Sequence, residues 1–358
     1  MRAAVYVPGA DDLAVETVTP LAPSDRDVVV RVTATGVCHS DQAVIDGKRM
    51  GPIILGHETT GIVEWTGAAV SRVRPGDRII ASITPVCGTC WHCVRQETHL
   101  CDMNAEMLPR VRATRSDGSE ANALAGIGGF ADVITVDEAS CVPVHTELPD
   151  EQLSLIGCGF TTGFGAAVNT ADVHPGATVA VIGAGGVGTA TILGAQVAGA
   201  ARIIAVDPVA MKRESARRFG ATDVVDPGEA DAVEQVKALT DGRGVDYAFE
   251  AVGSHALELQ ALQMTRRGGT TVFIGVPGFA NGLELPSMQL IMEDRTVKGS
   301  YYGSARVTRD FPRFIELIES GRLDVASMIT RHYRLDDVNA ALAAMREGAV
   351  VRGVVVPN

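Results

Sequence analysis

Four closely spaced cysteines are the part of the chain whose chemistry is most directly apparent. Cys87, Cys90, Cys93 and Cys101 form a Cys-x2-Cys-x2-Cys-x7-Cys run within 15 residues. Thiolates are soft ligands that suit tetrahedral zinc, and four of them close its coordination shell. Because a closed shell leaves no position for a reacting molecule, we expect a structural zinc in a lobe of about residues 86–102.

A second set of ligands, which would leave one position open, consists of Cys38, His57 and Cys158. Two thiolates and a neutral imidazole balance the charge of Zn²⁺. An alcohol at the fourth position would lose its proton near neutral pH, because the metal lowers the pKa of the hydroxyl. The three residues are spread over 120 positions, and any one of them alone is better explained as a buried thiol or a core histidine. Cys141 is expected to be a buried thiol, since it has no glycine neighbours and both predicted zinc sites already have their ligands.

A glycine-rich turn predicts a dinucleotide site. The run Gly-Ala-Gly-Gly-Val-Gly at 183–188 follows an apolar strand pattern and opens a long helix pattern of small residues, which is the context that this motif requires. Its glycines let the backbone approach a pyrophosphate at the helix N-terminus. The candidate cofactor-binding residues of the turn are Gly183, Gly185, Gly186, Val187 and Gly188.

The acid that follows this turn favours NAD over NADP. Asp207 ends the next predicted strand, 19 residues beyond Gly188. A carboxylate there accepts hydrogen bonds from both hydroxyls of the adenosine ribose, and it repels a 2′-phosphate. No arginine occurs in the adjoining segment 208–210. The alternative is a glycine turn in an ordinary α/β domain, with Asp207 as a surface acid.

The elements that must position these residues show two patterns. Up to about residue 150, β-branched runs such as 28–35 alternate with closely spaced glycine and proline turns, as in a small barrel-like domain. From about residue 175, strand and helix patterns alternate, which is typical of βαβ units and a parallel sheet. These strands are predicted at 178–182, 202–206, 223–225, 245–249 and 270–274, and two amphipathic helices at about 308–320 and 335–346 precede a closing strand at 353–356. The predicted class is α/β.

Composition excludes several kinds of protein. The chain has 358 residues and is 46% hydrophobic, which is enough for two domains with their own cores. A net charge of −12 argues against a nucleic-acid partner, because phosphate binding requires clustered lysine and arginine. The sequence has neither an apolar run of bilayer length nor an apolar signal-peptide core, so we expect a cytoplasmic protein without a membrane partner. Of its seven cysteines, all except Cys141 are expected as zinc ligands, and none is expected in a disulfide.

Taken together, the motifs resemble those of the zinc-dependent alcohol dehydrogenases of the medium-chain dehydrogenase/reductase superfamily, over essentially the full length. The motifs that carry the resemblance are Gly36-Val37-Cys38-His39-Ser40-Asp41, Gly56-His57-Glu58-Thr59-Thr60-Gly61, the four-cysteine lobe, Leu155-Ile156-Gly157-Cys158-Gly159-Phe160-Thr161-Thr162-Gly163 and the glycine turn. The resemblance implies a GroES-like, β-rich catalytic domain over 1–159 and a Rossmann domain with a doubly wound parallel sheet over 160–300. The C-terminal part, 301–358, would complete the catalytic domain.

The resemblance also implies roles for residues around the open site. Cys38, His57 and Cys158 would hold a catalytic zinc, with the substrate between it and the nicotinamide. Glu58 would lie next to the metal, and Asp41 would orient the ring of His57.

A proton relay is implied as well. Ser40 would take the proton of the alcohol and pass it to the nicotinamide ribose. In many relatives a histidine three residues beyond this hydroxyl passes the proton to solvent, whereas this chain has Ala43 there. Either the ribose hands the proton to water, or another group such as His39 does.

Further cofactor contacts carry over by position. His39 and Arg352 match pyrophosphate-contacting residues, and Lys212 matches a residue that supports Asp207 near the adenosine ribose. For Lys212 and Arg352 a solvated surface position is an equally good explanation.

The implied reaction is the reversible oxidation of an alcohol to an aldehyde or ketone, with hydride transfer from a zinc-bound alkoxide to NAD. The implied cofactors are NAD and two zinc ions per subunit, and relatives of this length form homodimers or homotetramers. The substrate would be a small alcohol, aldehyde or ketone.

Three alternatives remain open from the sequence. A thiol-adduct formaldehyde dehydrogenase would use Arg110, Arg112 and Arg115 to grip an anionic thiol carrier. A zinc-free quinone or enoyl reductase on the same fold would lack both cysteine sets. A zinc-ribbon interaction module would have two separated Cys-x2-Cys pairs.

Overall fold

The structure of the chain, a computed structural model, describes residues 1–47, 51–106, 110–277 and 282–357. These residues form two compact units, Met1–Gly159 with Arg306–Asn358, and Phe160–Ala305. The domain boundaries expected from the sequence stay a prediction, because compactness does not show which segments fold independently. Within the described ranges, no helix combines the length and the apolar character needed to cross a bilayer.

Strands and helices succeed one another along the whole chain. They begin with β1 (Arg2–Tyr6), β2 (Ala14–Thr17), β3 (Thr19–Pro20), β4 (Asp27–Gly36), α1 (His39–Gly47), β5 (Ile53–Ile54), β6 (Glu58–Thr66), β7 (Arg78–Ala81), α2 (Trp91–Val94), α3 (Met103–Glu106), β8 (Arg110–Thr114), β9 (Glu120–Ala123), β10 (Val133–Asp137), β11 (Cys141–Pro143) and α4 (Asp150–Ile156). They continue with α5 (Gly159–Gly165), β12 (Thr178–Ile182), α6 (Gly186–Val197), β13 (Arg202–Val206), α7 (Ala210–Arg218), β14 (Asp223–Val225), α8 (Ala232–Ala238), β15 (Val245–Glu250), α9 (His255–Met264), β16 (Thr265–Phe273), α10 (Ser287–Met292) and β17 (Thr296–Gly299). They end with α11 (Val307–Glu319), β18 (Ile329–Tyr333), α12 (Val338–Arg346) and β19 (Arg352–Val355).

The first unit contains two mainly antiparallel sheets, with strand orders β2-β1-β5-β9-β8-β3 and β11-β7-β6-β4-β19-β18, and β10 also pairs with β4. The β-branched run of β4 explains its central place, because alternate residues point to opposite faces of a strand. Val28, Val30 and Val32 accordingly pack into one buried apolar cluster. The register of β4 and β6 pairs Gly36 with Glu58, so the chain leaves β4 beside the point where it enters β6.

The second unit is built on a single six-stranded sheet in the order β14-β13-β12-β15-β16-β17. Every neighbouring pair in it is parallel, which confirms the predicted α/β class and the parallel sheet. The strand order reverses between β12 and β15, and in sheets of this kind ligands bind outside the carboxyl ends of the strands at that place. The glycine turn at 183–188 directly follows β12.

A buried ion pair joins one strand from each sheet of the first unit. Asp27 of β4 accepts a hydrogen bond of 2.9 Å from Nη1 of Arg112 on β8, and both side chains are buried. Ser24 donates its backbone N–H to the same carboxylate at 2.8 Å. Burial raises the pKa of Asp27, but the hydrogen bonds from Ser24 and Arg112 outweigh it and hold the pKa below its ordinary value.

Replacing Asp27 by Ala should therefore destabilise the chain. A buried guanidinium without its partner costs about 3–5 kcal/mol, which should appear as a lower midpoint of urea unfolding. Glu64→Ala is the matched control, because the Arg31–Glu64 pair is exposed and such pairs contribute at most about 1 kcal/mol. The stabilisation by Asp27 should hold above about pH 4, near its unfolded pKa, and disappear as the pH falls through the lower folded value. Equal midpoint shifts in the two variants would contradict this account.

Candidate active site

Three segments of the first unit bring the predicted open ligand set together. Cys38 follows the end of β4, His57 precedes the start of β6, and Cys158 follows α4. One ligand atom from each of these residues, with an oxygen of Glu58, lies within 4.8 Å of the others, and all four residues are buried. The β4–β6 register accounts for two of them, because it places the residues just beyond Gly36 next to those just before Glu58.

The carboxylate of Asp41 fixes the orientation of His57. His57 Nδ1 donates to Asp41 Oδ1 at 3.2 Å, while Asp41 also accepts from the backbone N–H groups of Gly56 at 2.9 Å and Cys38 at 3.1 Å. Gly56 has φ +85°, and a Cβ there would lie 2.4 Å from the backbone nitrogen of Phe130, so only glycine fits. With Nδ1 as donor to Asp41, Nε2 is the ring nitrogen left for a metal, and this buried atom has no hydrogen-bond partner. A metal ion fits this unsatisfied nitrogen, where it would take the place of a proton.

The electrostatics of this cluster also suit a cation. The hydrogen bond with Cys158 outweighs burial and, with the neighbouring His57, holds the pKa of the Cys38 thiol well below its ordinary value. Burial lowers the pKa of His57, but the negative charges of Asp41 and Cys38 outweigh it and raise that pKa to about 10. The side chains thus favour negative sulfur together with a positive charge beside it.

Glu58, the fourth member of the cluster, is held by its own partners. Its Oε1 accepts from the backbone N–H of Gly159 at 2.9 Å, and its Oε2 forms an ion pair with Arg352 of β19. Both charged side chains are buried. The explanation of Arg352 as a solvated surface residue is therefore wrong, whereas its contact with a pyrophosphate stays a prediction.

Ser40 and His39 lie at the start of α1 and are exposed. The Oγ of Ser40 is 3.7 Å from the Sγ of Cys38, so the hydroxyl borders the ligand cluster and also reaches solvent. Ala43, one helical turn further on, is exposed too. This arrangement suits proton transfer between the cluster and water.

The sulfurs of the four cysteines in the predicted lobe all lie within 4.8 Å of one another, close enough to surround one metal ion. Cys87 and Cys93 are 3.9 Å apart at their sulfurs, as are Cys90 and Cys101. Zinc–sulfur bonds of about 2.3 Å imply sulfur separations of about 3.8 Å in a tetrahedron, whereas a disulfide requires about 2.05 Å. Backbone N–H groups also point at the sulfurs, and the hydrogen bond from Thr89 is the main reason why the pKa of Cys87 is lowered to about 6.

The glycine turn of the second unit has the close backbone packing that its motif predicts. Gly183 has φ +89°, and a Cβ on Gly188 would lie 1.7 Å from the carbonyl oxygen of Gly183. Asp207 is buried, and its two oxygens accept from the backbone N–H groups of Ala184 and Val209, each at 2.8 Å. The alternative of a surface acid is therefore wrong for Asp207.

Comparisons with known proteins identify the family. The family model described as "Alcohol dehydrogenase GroES-like domain" matches residues 24–146, and that described as "Zinc-binding dehydrogenase" matches residues 186–320. A Mycobacterium tuberculosis protein provisionally named alcohol dehydrogenase D is 37% identical over an alignment of 344 positions that covers 93% of each chain. This chain belongs to the zinc-dependent alcohol dehydrogenases of the medium-chain dehydrogenase/reductase superfamily.

Two further comparisons agree with this family. The S-(hydroxymethyl)glutathione dehydrogenase of Escherichia coli is 35% identical over an alignment of 365 positions, gaps included, that covers 99% of each chain. The crystal structure of benzyl alcohol dehydrogenase from Acinetobacter calcoaceticus has a TM-score of 0.91 at 30% identity and covers 100% of this chain and 99% of that one. The expected GroES-like and Rossmann folds are thereby confirmed, and this alcohol dehydrogenase is an oxidoreductase that acts on alcohols.

One contact next to the glycine turn was not predicted from the sequence. Lys212 was expected to support Asp207, but Arg213 is the residue that donates to its backbone oxygen, from Nη1 at 2.8 Å. Arg213 is held in place by Asp226, 2.6 Å from its Nη2. The support of Asp207 by Lys212 stays a prediction. No local pattern distinguishes the two adjacent cations, because the deciding acid lies 13 residues further on.

Cysteine variants of this alcohol dehydrogenase should show which cysteines bind zinc and which are buried thiols without a metal. Cys93→Ala should lower the zinc content by about one ion per subunit and reduce the unfolding temperature, since a structural zinc contributes folding free energy. Cys141→Ala is the control, because Cys141 is buried and belongs to neither of the two clusters found among the described residues. Mass spectrometry of dialysed protein measures the zinc. An unchanged zinc content in Cys93→Ala, or an equal loss in Cys141→Ala, would refute the assignment.

Proposed function

We propose that this alcohol dehydrogenase is NAD-linked and holds two zinc ions per subunit. Cys38, His57 and Cys158 would bind the catalytic ion, and the four-cysteine lobe the structural one. The observation that carries the proposal is the buried Nε2 of His57, which lacks a hydrogen-bond partner and lies beside two thiols. Bound zinc would supply a Lewis acid that lowers the pKa of an alcohol, and NAD would supply the hydride acceptor.

Glu58 and Arg352 have a part in keeping the fourth coordination position for the substrate. The carboxylate of Glu58 is close enough to be a ligand, but its two oxygens are engaged by Gly159 and Arg352. A carboxylate so neutralised competes less well for a cation than a free one. Three protein ligands and one open position are what a catalytic zinc site requires.

Ser40 would accept the proton of the alcohol, and Asp41 would keep the ring of His57 in the orientation that binds the metal. Asp41 holds the Nδ1 proton of His57, which leaves Nε2 for the metal. The exposed Oγ of Ser40 would accept the proton of the alcohol and release its own toward a ribose hydroxyl, water or His39. Because the side chain of Ala43 cannot accept a proton, we assign no residue as the base that passes the proton to solvent at this position.

The preference for NAD is supported by Asp207. Its buried carboxylate is fixed by two backbone donors at the end of β13, next to the glycine turn. A 2′-phosphate placed against this fixed negative charge would be repelled, whereas ribose hydroxyls would donate to it.

Two of the three arginines on which the thiol-adduct alternative depends are engaged by acids of the protein itself. Arg112 is buried against Asp27, and Arg115 pairs with Glu16 at 2.5 Å and Asp117 at 2.9 Å. These internal partners already neutralise the two cations. A simple alcohol is therefore the better proposal, although one of the relatives is named for a glutathione adduct.

Spectrophotometric assays of NADH formation test this function. The zinc-loaded protein should oxidise members of a panel of aliphatic and aromatic alcohols with NAD, more slowly with NADP, and equally well with or without glutathione. His57→Ala should lower kcat by at least about a thousandfold while NAD still binds, and Ser40→Ala by about a hundredfold, the usual contribution of a proton-transfer group.

His332→Ala is the control, because this histidine is exposed and lies outside both ligand clusters. Full activity of His57→Ala, or activity that requires glutathione, would show that the proposed function is wrong.

We further infer that the protein assembles with copies of itself through the second unit. β17 is the outer strand of the parallel sheet, and an outer strand offers unpaired backbone groups. Beside it in sequence, α10 exposes three large apolar side chains: Met288 at 70%, Ile291 at 74% and Met292 at 74%. A two-fold axis would bring the same edge and the same apolar surface of two copies together.

Size-exclusion chromatography coupled to light scattering measures the molar mass of the assembly. The double variant Ile291→Asp, Met292→Asp should shift the mass from a multiple of 37.5 kDa toward a smaller one, because two buried charges would oppose the contact. Val94→Asp is the control, since Val94 is also exposed but lies in the cysteine lobe. An unchanged mass in the double variant, or a monomeric wild type, would contradict this interface.

A further inference from the structure

Glu250, the last residue of β15, is a buried acid to which the proposed mechanism gives no part. Its side chain is 0% exposed. Oε1 accepts from the backbone N–H groups of Val252 at 2.9 Å and Gly253 at 2.8 Å, whereas Oε2 is buried and has no hydrogen-bond partner. The carboxylate thus fixes the loop that directly follows β15.

The backbone of Glu250 ties the same point to two other strands. Its carbonyl oxygen accepts from the N–H groups of Ile274 at 2.9 Å and Gly275 at 3.1 Å, just beyond β16. In the sheet, Glu250 is the register partner of Ile182 on β12 and of Phe273 on β16. One residue therefore connects the carboxyl ends of three adjacent strands.

The loops that follow β12, β15 and β16 pack closely against one another. A Cβ on Gly275 would lie 2.0 Å from the nitrogen of Gly253 and 2.7 Å from Oε2 of Glu250. A Cβ on Gly183, in the glycine turn, would lie 2.5 Å from Cγ2 of Val252. A shift of the loop after β15 would therefore move the glycine turn and the loop after β16 as well.

This point is also where the strand order of the sheet reverses, which is where ligands bind in such sheets. Two apolar side chains stand exposed there, Val252 at 56% and Val276 at 78%. Because Glu250 itself is fully buried, it can act on a ligand only through the loops that it holds.

We propose that Glu250 is a positioning residue for the dinucleotide: its carboxylate holds the loop after β15 against the glycine turn and so keeps the cofactor cleft in its binding shape. The inference rests on the proposed NAD-linked function. A loop that must be ordered during binding lowers the affinity, since the cost of ordering is subtracted from the binding free energy.

A role in stability alone explains the residue less well. Burial raises the pKa of Glu250, and the backbone N–H groups of Gly253 and Val252 oppose that rise. An apolar side chain of similar size would fill the space without leaving a buried oxygen unpaired. The carboxylate is the group that supplies an acceptor to the loop.

The test compares NAD affinity with stability in variants of the full-length, zinc-loaded protein. Glu250→Ala should weaken NAD binding about tenfold or more, equivalent to about 1.4 kcal/mol or more, with a higher KM for NAD and little change in kcat at saturation. Glu250→Gln keeps an oxygen acceptor and should bind within about threefold of wild type. Calorimetric titration measures the affinity, well below each unfolding temperature.

Asp246→Ala is the matched control, because Asp246 lies at the other end of the same strand, where it accepts from the backbone N–H of Thr178 at 2.7 Å and pairs with Arg266 at 2.7 Å. Asp246→Ala should lower the unfolding temperature yet keep the NAD affinity within about twofold of wild type, since this end of the strand does not contribute to the shape of the cofactor cleft. If Glu250→Ala does not fold, Glu250→Asp replaces it: the shorter side chain retracts the acceptor and should weaken binding more than Gln does.

Each result decides the question. Unchanged NAD affinity in Glu250→Ala or Glu250→Asp, or equal weakening in Asp246→Ala, would overturn the positioning role while leaving the proposed function intact. Failure of the wild type to bind NAD would overturn both. Weakening by Ala or Asp, rescue by Gln and no effect at Asp246 would support the inference.

Discussion

The proposed catalytic metal site depends on one buried carboxylate. Asp41 accepts hydrogen bonds from the backbone of Cys38, the backbone of Gly56 and the ring of His57, so it holds together the segments that leave β4 and enter β6. Without these bonds, both segments would be loops whose ligands had to be ordered at the expense of metal affinity. With them, the direction of the imidazole is fixed before any metal binds, with Nδ1 toward Asp41.

Buried carboxylates recur at the loops of both units to which functions are proposed above. Glu58 accepts from the backbone of Gly159, Asp207 from Ala184 and Val209, and Glu250 from the loop after β15. In each case an acid lies at the start or end of a strand and receives backbone N–H groups that have no partner in a ladder. Charge-assisted hydrogen bonds of this kind are stronger than neutral ones, and they give irregular backbone a defined shape without lengthening the strands.

Local patterns explain what the sequence could predict. The apolar runs at 178–182 and 202–206 became β12 and β13 with the same bounds, and the four-cysteine spacing brought its sulfurs together. The sequence predicted that β16 starts at residue 270, because Gly268 and Gly269 interrupt the apolar pattern. In the structure β16 starts at Thr265, because its pairing with β15 continues past an irregularity in the register. Tertiary pairing there outweighs the weak strand preference of glycine.

Contacts between distant residues explain what the sequence could not predict. Whether Arg352 was a surface cation or a buried one depended on Glu58, which is 294 positions earlier. The choice between Lys212 and Arg213 likewise depended on an acid beyond the helix that carries both. Glu250 gave no signal at all, since a lone acid at the end of an apolar run resembles a strand boundary.

The same long separation bears on how the protein is made. During translation at about 5–20 residues per second, Glu58 leaves the ribosome roughly 15 to 60 seconds before its counter-ion, which follows 294 residues later. Throughout that interval the nascent pocket would have to enclose a bare anion, which is unfavourable in a low-dielectric interior. The first unit is therefore expected to mature late, after the second unit, which is encoded between the two segments of the first, has already emerged.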